Sequence, residues 1–198
     1  MHSSLARPRH CLFGGSFDPV HLGHTGLASA ARAHARLDRI IFLPACRSPH
    51  KHDQDPPASA HHRLAMLRLA VAPLPYAEVS AWEVDRAGPS YSWQAAEFFA
   101  ASLGPDIDLC WLLGADQWAV LHTWARPDRL AHLLTFLVVP RNEGVIVPRH
   151  GFRHAVVPFH HHASSTAARA AARSCQSLDH LVAPSVADYI TRHRIYQT

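Results

Sequence analysis

His10-Cys11-Leu12-Phe13-Gly14-Gly15-Ser16-Phe17-Asp18-Pro19-Val20-His21-Leu22-Gly23-His24 decides how this chain is read. Residues 10–13 have the character of a strand. Two glycines follow at its carboxyl end, where a missing side chain lets a bound anion approach the backbone. Asp18-Pro19 has the form of a helix N-cap and first helical residue. His21 and His24 then fall about one turn apart, on one helix face near its start. A helix start carries unpaired N–H groups and positive potential, and two imidazoles there can donate to phosphate oxygens. The alternative is a capped helix with two incidental histidines.

Outward from this stretch, short apolar runs alternate with helical patterns. Strands are expected at 39–43, 76–82, 108–113, 135–139 and 155–159. Helices are expected at 25–37, 60–72, 92–102, 128–133, 166–174 and 185–193. The polar, proline-rich segment 49–57 reads as a loop, and 144–151 as an exposed connection. Strands separated by helices imply parallel βαβ units. The expected fold is α/β: a single Rossmann-like, doubly wound domain over residues 1–198, with a mainly parallel sheet and helices on both faces. Ligands in such sheets bind beyond the carboxyl ends of the strands, where the strand order reverses.

Composition excludes several classes. The chain has 198 residues, 48% of them hydrophobic, and no apolar run long enough to span a bilayer. Mean hydropathy of -0.07 fits a soluble globular protein. Residues 1–9 carry basic side chains without an apolar core, so no secretory leader is expected and the cytoplasm is the expected compartment. A net charge of +4 without a Lys/Arg block suits a small anionic substrate and gives no reason to expect nucleic acid or membrane as partner. Cys11, Cys46, Cys110 and Cys175 are too scattered for a disulfide framework or zinc site. Three of them sit in apolar segments and are expected as buried free thiols. The histidine clusters at 61–62 and 160–162 read as surface choices, and no protein-held metal is expected.

A second anion site is suggested by Ala163-Ser164-Ser165-Thr166-Ala167-Ala168-Arg169. Hydroxyl residues precede an alanine-rich helix and can cap it, while Arg169 is expected to project from its first turn. Capping hydroxyls, unpaired N–H groups and a guanidinium together bind anions. An ordinary capped helix with a surface arginine is the other reading.

The string from Gly14 to His24 resembles the nucleotidyltransferase superfamily signature Gly-x-Phe-Asp-Pro-x-His-x-Gly-His. The resemblance implies that His21 and His24 hold the α-to-γ phosphates of ATP, with Gly14, Gly15, Ser16 and Phe17 beside it. Residues 163–169 resemble the superfamily's Ile-Ser-Ser-Thr-x-x-Arg motif, which implies β- and γ-phosphate contacts from Ser164, Ser165, Thr166 and Arg169. Ala163 stands where a larger aliphatic residue is usual. Further segments are similar, in order and spacing, to bacterial nicotinate-nucleotide adenylyltransferases: Ser48-Pro49-His50-Lys51, Pro89-Ser90-Tyr91-Ser92, Leu112-Leu113-Gly114-Ala115-Asp116, Trp124, and 184–196 at the C-terminus.

That resemblance implies substrate contacts from Lys51, Tyr91, Ser92, Gly114, Asp116 and Trp124. Lys51 would meet phosphate, or be a solvated loop lysine. Tyr91 and Ser92 would bind the pyridine-side substrate, or cap a helix. Asp116 would accept from ribose hydroxyls, or cap a helix. Trp124 would stack on the pyridine ring, or belong to the core; Ala125 follows it where relatives often have an aromatic residue. The implied reaction joins ATP and nicotinate mononucleotide to give nicotinate adenine dinucleotide and pyrophosphate, with Mg²⁺ accompanying ATP and His21, His24 and Arg169 as catalytic groups. The competing readings are a phosphopantetheine adenylyltransferase, a cytidylyltransferase, and a catalytically silent nucleotide-binding regulator.

Overall fold

Strands β1 (Arg9–Gly15), β2 (Arg39–Pro44), β3 (Ala77–Val79), β4 (Asp108–Gly114), β5 (Thr135–Val139) and β6 (Arg153–Val156) form one sheet, ordered β3-β2-β1-β4-β5-β6. Every adjacent pair is parallel. The computed structural model describes residues 7–46, 58–86, 91–140 and 144–197. Lys51, Pro89 and Ser90 lie outside them.

Parallel strands joined by helical crossovers bury both faces, so their side chains sort by alternation rather than by polarity. Cys11, Phe13, Ile40, Phe42, Cys110, Leu112 and Leu137 point to one face, where α1 (Leu22–Ala35), α2 (Ala60–Val71), α6 (Ser165–Arg173) and α7 (Pro184–Arg192) pack. Leu12, Ile41, Leu43, Trp111, Leu113, Phe136 and Val138 point to the other, under α3 (Ser92–Leu103), α4 (Ala115–Val120) and α5 (Pro127–Leu133). The strand order reverses between β1 and β4. The crevice that opens there is bounded by Gly14-Gly15 at the end of β1 and Gly114 at the end of β4. Among the described residues, no helix is long and apolar enough to cross a membrane.

Several boundaries differ from expectation for local reasons. α1 begins at Leu22 with His21 as its N-cap, not at Asp18-Pro19. The Asp18 carboxylate is buried and accepts a hydrogen bond from the Tyr196 hydroxyl at 2.5 Å, so it is not available to cap. β3 stops at Val79 because it is an edge strand paired with β2 alone. β6 lies earlier than expected, in register with β5 from Thr135↔Arg153 to Val138↔Val156. The six-residue α4, followed by a 3-10 turn at Leu121–Thr123, is too short for a hydrophobic period to show in sequence. Cys11 and Cys110 are buried free thiols, whereas Cys46 is partly exposed and Cys175 exposed, so only two of the thiols are core residues.

Candidate active site

The turn between β1 and α1 is built around aromatic rings. Phe17 takes a left-handed φ of 47°, which drives its ring into the core. There it packs edge-on against Phe13, with centroids 5.5 Å apart, and beneath His24 at 4.9 Å. Phe17 can therefore offer a ligand only its backbone. The His21 and His24 rings are tilted by 31° to each other, with centroids 3.7 Å apart. His24 Nδ1 accepts the backbone N–H of His21 at 3.2 Å. A neutral imidazole that accepts at Nδ1 carries its proton on Nε2. His24 is thus fixed as an Nε2–H donor by its own helix start.

Both imidazoles are held neutral. Burial, and then the nearby His161, lowers the His21 pKa from 6.5 to about 4. Burial, and then His21, pushes His24 well below its ordinary value. His21 Nδ1 is buried and has no hydrogen-bond partner among the described residues. Such an atom is costly in a finished core and common where a ligand completes the site. Gly23 makes the arrangement possible. A Cβ there would lie 2.9 Å from the His21 ring and 3.2 Å from the Ala163 carbonyl oxygen.

The second helix start converges on this turn. Arg169 Nη1 donates to the Asp18 carbonyl at 2.7 Å, and the Ser165 hydroxyl donates to the Pro19 carbonyl at 3.0 Å. Ser164 is the N-cap of α6, accepting the Ala167 N–H at 3.1 Å. Both serine hydroxyls are spent on structure. What α6 offers an anion is therefore the N–H groups of its first two residues, Ser165 and Thr166, with the Thr166 hydroxyl and the Arg169 guanidinium 3.4 Å apart beside them. Arg169 stands in the second turn of α6, so its reach back to Asp18 comes from its length.

Two residues to which the sequence reading gave no role, Arg63 and Tyr196, hold the turn in place. Arg63 of α2 is 1% exposed, and its guanidinium donates to three backbone carbonyls: Ser16 at 2.7 Å, Cys46 at 3.0 Å and Ala58 at 3.3 Å. Asp18 faces it electrostatically. Tyr196, near the C-terminus, holds the Asp18 carboxylate, and its phenol is pushed up by burial and by that bond. Arg63 sits on a helix with a regular apolar stripe, where an arginine gives no hint that it turns inward.

A family model described as Cytidylyltransferase-like matches residues 12–171. A Methylacidiphilum infernorum protein named "Probable nicotinate-nucleotide adenylyltransferase" is 36% identical over 195 residues, spanning 95% of this chain and 92% of its own. A Thermus thermophilus protein of the same name is 37% identical over 192 residues, spanning 94% of this chain and 98% of its own. This chain belongs to the nicotinate-nucleotide adenylyltransferase family. A Plasmodium falciparum nicotinic acid mononucleotide adenylyltransferase, solved with NaAD, has the same fold, with a TM-score of 0.75 at 17% identity over 96% of this chain and 97% of its own.

In this family member the rest of the crevice is floored by an indole. A Cβ at Gly14 would lie 3.0 Å from Trp111 Cζ2, so the end of β1 rests directly on that ring. Trp124 stands edge-on to Trp111, with centroids 6.4 Å apart, and is partly exposed. A Cβ at Gly114 would lie 2.7 Å from Asp116 Oδ1, so the glycine leaves room for that carboxylate beside the strand end. Gly114 is the N-cap of α4, and Asp116, which is exposed, lies in its first turn. Tyr91 is the N-cap of α3 and Ser92 its first residue, on the same face of the sheet as Trp111 and Trp124. Its backbone N–H donates to Gln94 Oε1 at 3.4 Å.

Proposed function

We infer that this protein joins ATP and nicotinate mononucleotide, giving nicotinate adenine dinucleotide and pyrophosphate. The observation that carries the reading is the convergence of two helix starts on residues 16–23, one with paired imidazoles and the other with a guanidinium. Each start bears unpaired N–H groups and positive potential. One triphosphate can satisfy both, with its α-phosphate nearer His24 and its β- and γ-phosphates nearer Ser165, Thr166 and Arg169. The backbone of Gly14, Gly15 and Ser16 would border it. The mononucleotide would lie on the β4 side, with ribose hydroxyls at Asp116 and the pyridine ring against Trp124 near Tyr91 and Ser92. Lys51 is proposed to meet phosphate from the segment after β2.

A phosphate oxygen of the mononucleotide attacks the α-phosphorus of ATP, and the bond to the β-phosphate oxygen breaks as pyrophosphate leaves. The second pKa of a phosphomonoester is about 6, so the nucleophile is already ionised at neutral pH and needs no general base. The protein's work is in-line positioning and stabilisation of charge as it shifts toward the leaving group. His24 donates from Nε2, and Arg169 supplies a permanent charge. Mg²⁺ enters this reading with ATP, carried on its phosphates.

The test is product formation with ATP, Mg²⁺ and nicotinate or nicotinamide mononucleotide in parallel. The nicotinate form should give dinucleotide and pyrophosphate in equal amounts. His24→Ala should lower turnover by about two orders of magnitude, as loss of a transition-state donor does. Binding of ATP without pyrophosphate release from any acceptor would instead mark a silent regulator.

A further inference from the structure

Residues 157–164 leave β6 and run to α6 alongside the start of α1. A Cβ at Gly26 would lie 3.0 Å from Phe159 Cζ, and one at Gly23 would lie 3.2 Å from the Ala163 carbonyl. Phe159 thus rests on the second turn of α1 and Ala163 on its first. His160 and His162 pair with each other, with centroids 4.8 Å apart and rings nearly perpendicular, and both are exposed. In a chain that alternates in this way, His161 falls with Phe159 and Ala163 on the side of α1.

The His161 ring is oriented from both directions. It lies nearly parallel to Phe159, at an interplanar angle of 13° and a centroid distance of 6.2 Å. Its Nδ1 accepts the Ala163 N–H at 3.0 Å. As at His24, a backbone amide occupies Nδ1 and the neutral ring carries its proton on Nε2. The ring is exposed, close enough to His21 to act on it electrostatically, and stands just before the N-cap of α6.

We propose that His161 is a third imidazole of the triphosphate site, donating from Nε2 to the pyrophosphate end of ATP. A donor that spends Nδ1 on its own backbone loses little freedom on binding, and the anion it meets makes the hydrogen bond charge-assisted. The proposal rests on the placement of ATP across the two helix starts.

Asparagine and glutamine separate the two ring nitrogens. His161→Asn can keep the bond to the Ala163 N–H but cannot reach the ligand. His161→Gln carries an N–H near the position of Nε2. Steady-state kinetics should show His161→Asn raising the KM for ATP by about tenfold, the lower end for a hydrogen bond to a charged group. Inhibition by added pyrophosphate should weaken in parallel. The KM for nicotinate mononucleotide should stay within about twofold, and His161→Gln should recover most of the loss. His162→Asn should match the unsubstituted enzyme. Equal unfolding midpoints for all variants would exclude a folding effect. A KM for ATP within about twofold of normal in His161→Asn overturns the proposal, as do equal rises in both KM values. If His24→Ala also leaves ATP kinetics unchanged, the placement of ATP itself falls; if only His161→Asn does, the third imidazole alone falls.

Discussion

His21 and His24 lie against each other at one helix start, and burial holds both imidazoles neutral. The ring centroids are 3.7 Å apart and the rings partly buried, so charging either would oppose the other. In the proposed site His24 would meet phosphate as a fixed N–H donor, not as a free cation. The sign of the pH effect follows. His21 titrates near 4 when folded against 6.5 unfolded, so between those values the unfolded chain binds more protons. The stability this group contributes is full above about pH 6.5 and is lost as pH falls toward 4. Denaturant midpoints measured from pH 7 to 4.5 should fall, and His21→Gln should reduce that fall. A His21→Gln variant with the same pH slope as the unsubstituted protein would contradict the assignment. The two histidines were legible in sequence because short-range spacing defines them. Their protonation state and the role of Arg63 were not, since those depend on burial and on partners far along the chain.

Among the elements, α1 shows most clearly what sequence can and cannot place. The amphipathic pattern at 25–37 marks the body of the helix, whose buried face is Ala28, Ala31 and Ala35. Its start was misplaced because Asp18-Pro19 has the form of a cap while Tyr196 holds its carboxylate. α4 escaped notice because two turns are too few for a period, and β3 and β6 were misbounded because pairing register, not composition, ends an edge strand. Gly23 is the element's weak point. Alanine there gains about 1 kcal/mol of helix propensity. Its Cβ would meet the Ala163 carbonyl and the His21 ring, and of these only the ring can swing aside. Gly23→Ala should leave the unfolding midpoint near normal while raising the KM for ATP several-fold. An unchanged KM would show that the ring position does not matter.

For the molecule as a whole, the alternation of strand and helix was enough to give a doubly wound parallel sheet and a crevice at its reversal. The ties that close the structure over that crevice were not readable. Arg63 joins α2 to the ends of β1 and β2, and Tyr196 joins the C-terminus to the same turn. Arg63→Met would leave the Ser16, Cys46 and Ala58 carbonyls without this donor and Asp18 without its facing charge. The expected loss of stability is about 3 kcal/mol, the range for removing one partner from a buried charged network. Urea unfolding of the variant measures it, and a loss under about 1 kcal/mol would show that water or neighbours replace the guanidinium. Tyr196→Phe should cost less, because it removes one hydroxyl and leaves the ring packed.

The claim on which the account turns is that two helix starts share one triphosphate. A crystal structure with a non-hydrolysable ATP analogue tests it most directly. Phosphate oxygens should lie within hydrogen-bond distance of both His24 Nε2 and the N–H groups of Ser165 or Thr166, with Arg169 alongside. An analogue bound with its phosphates at only one helix start, or outside the crevice between β1 and β4, would contradict it.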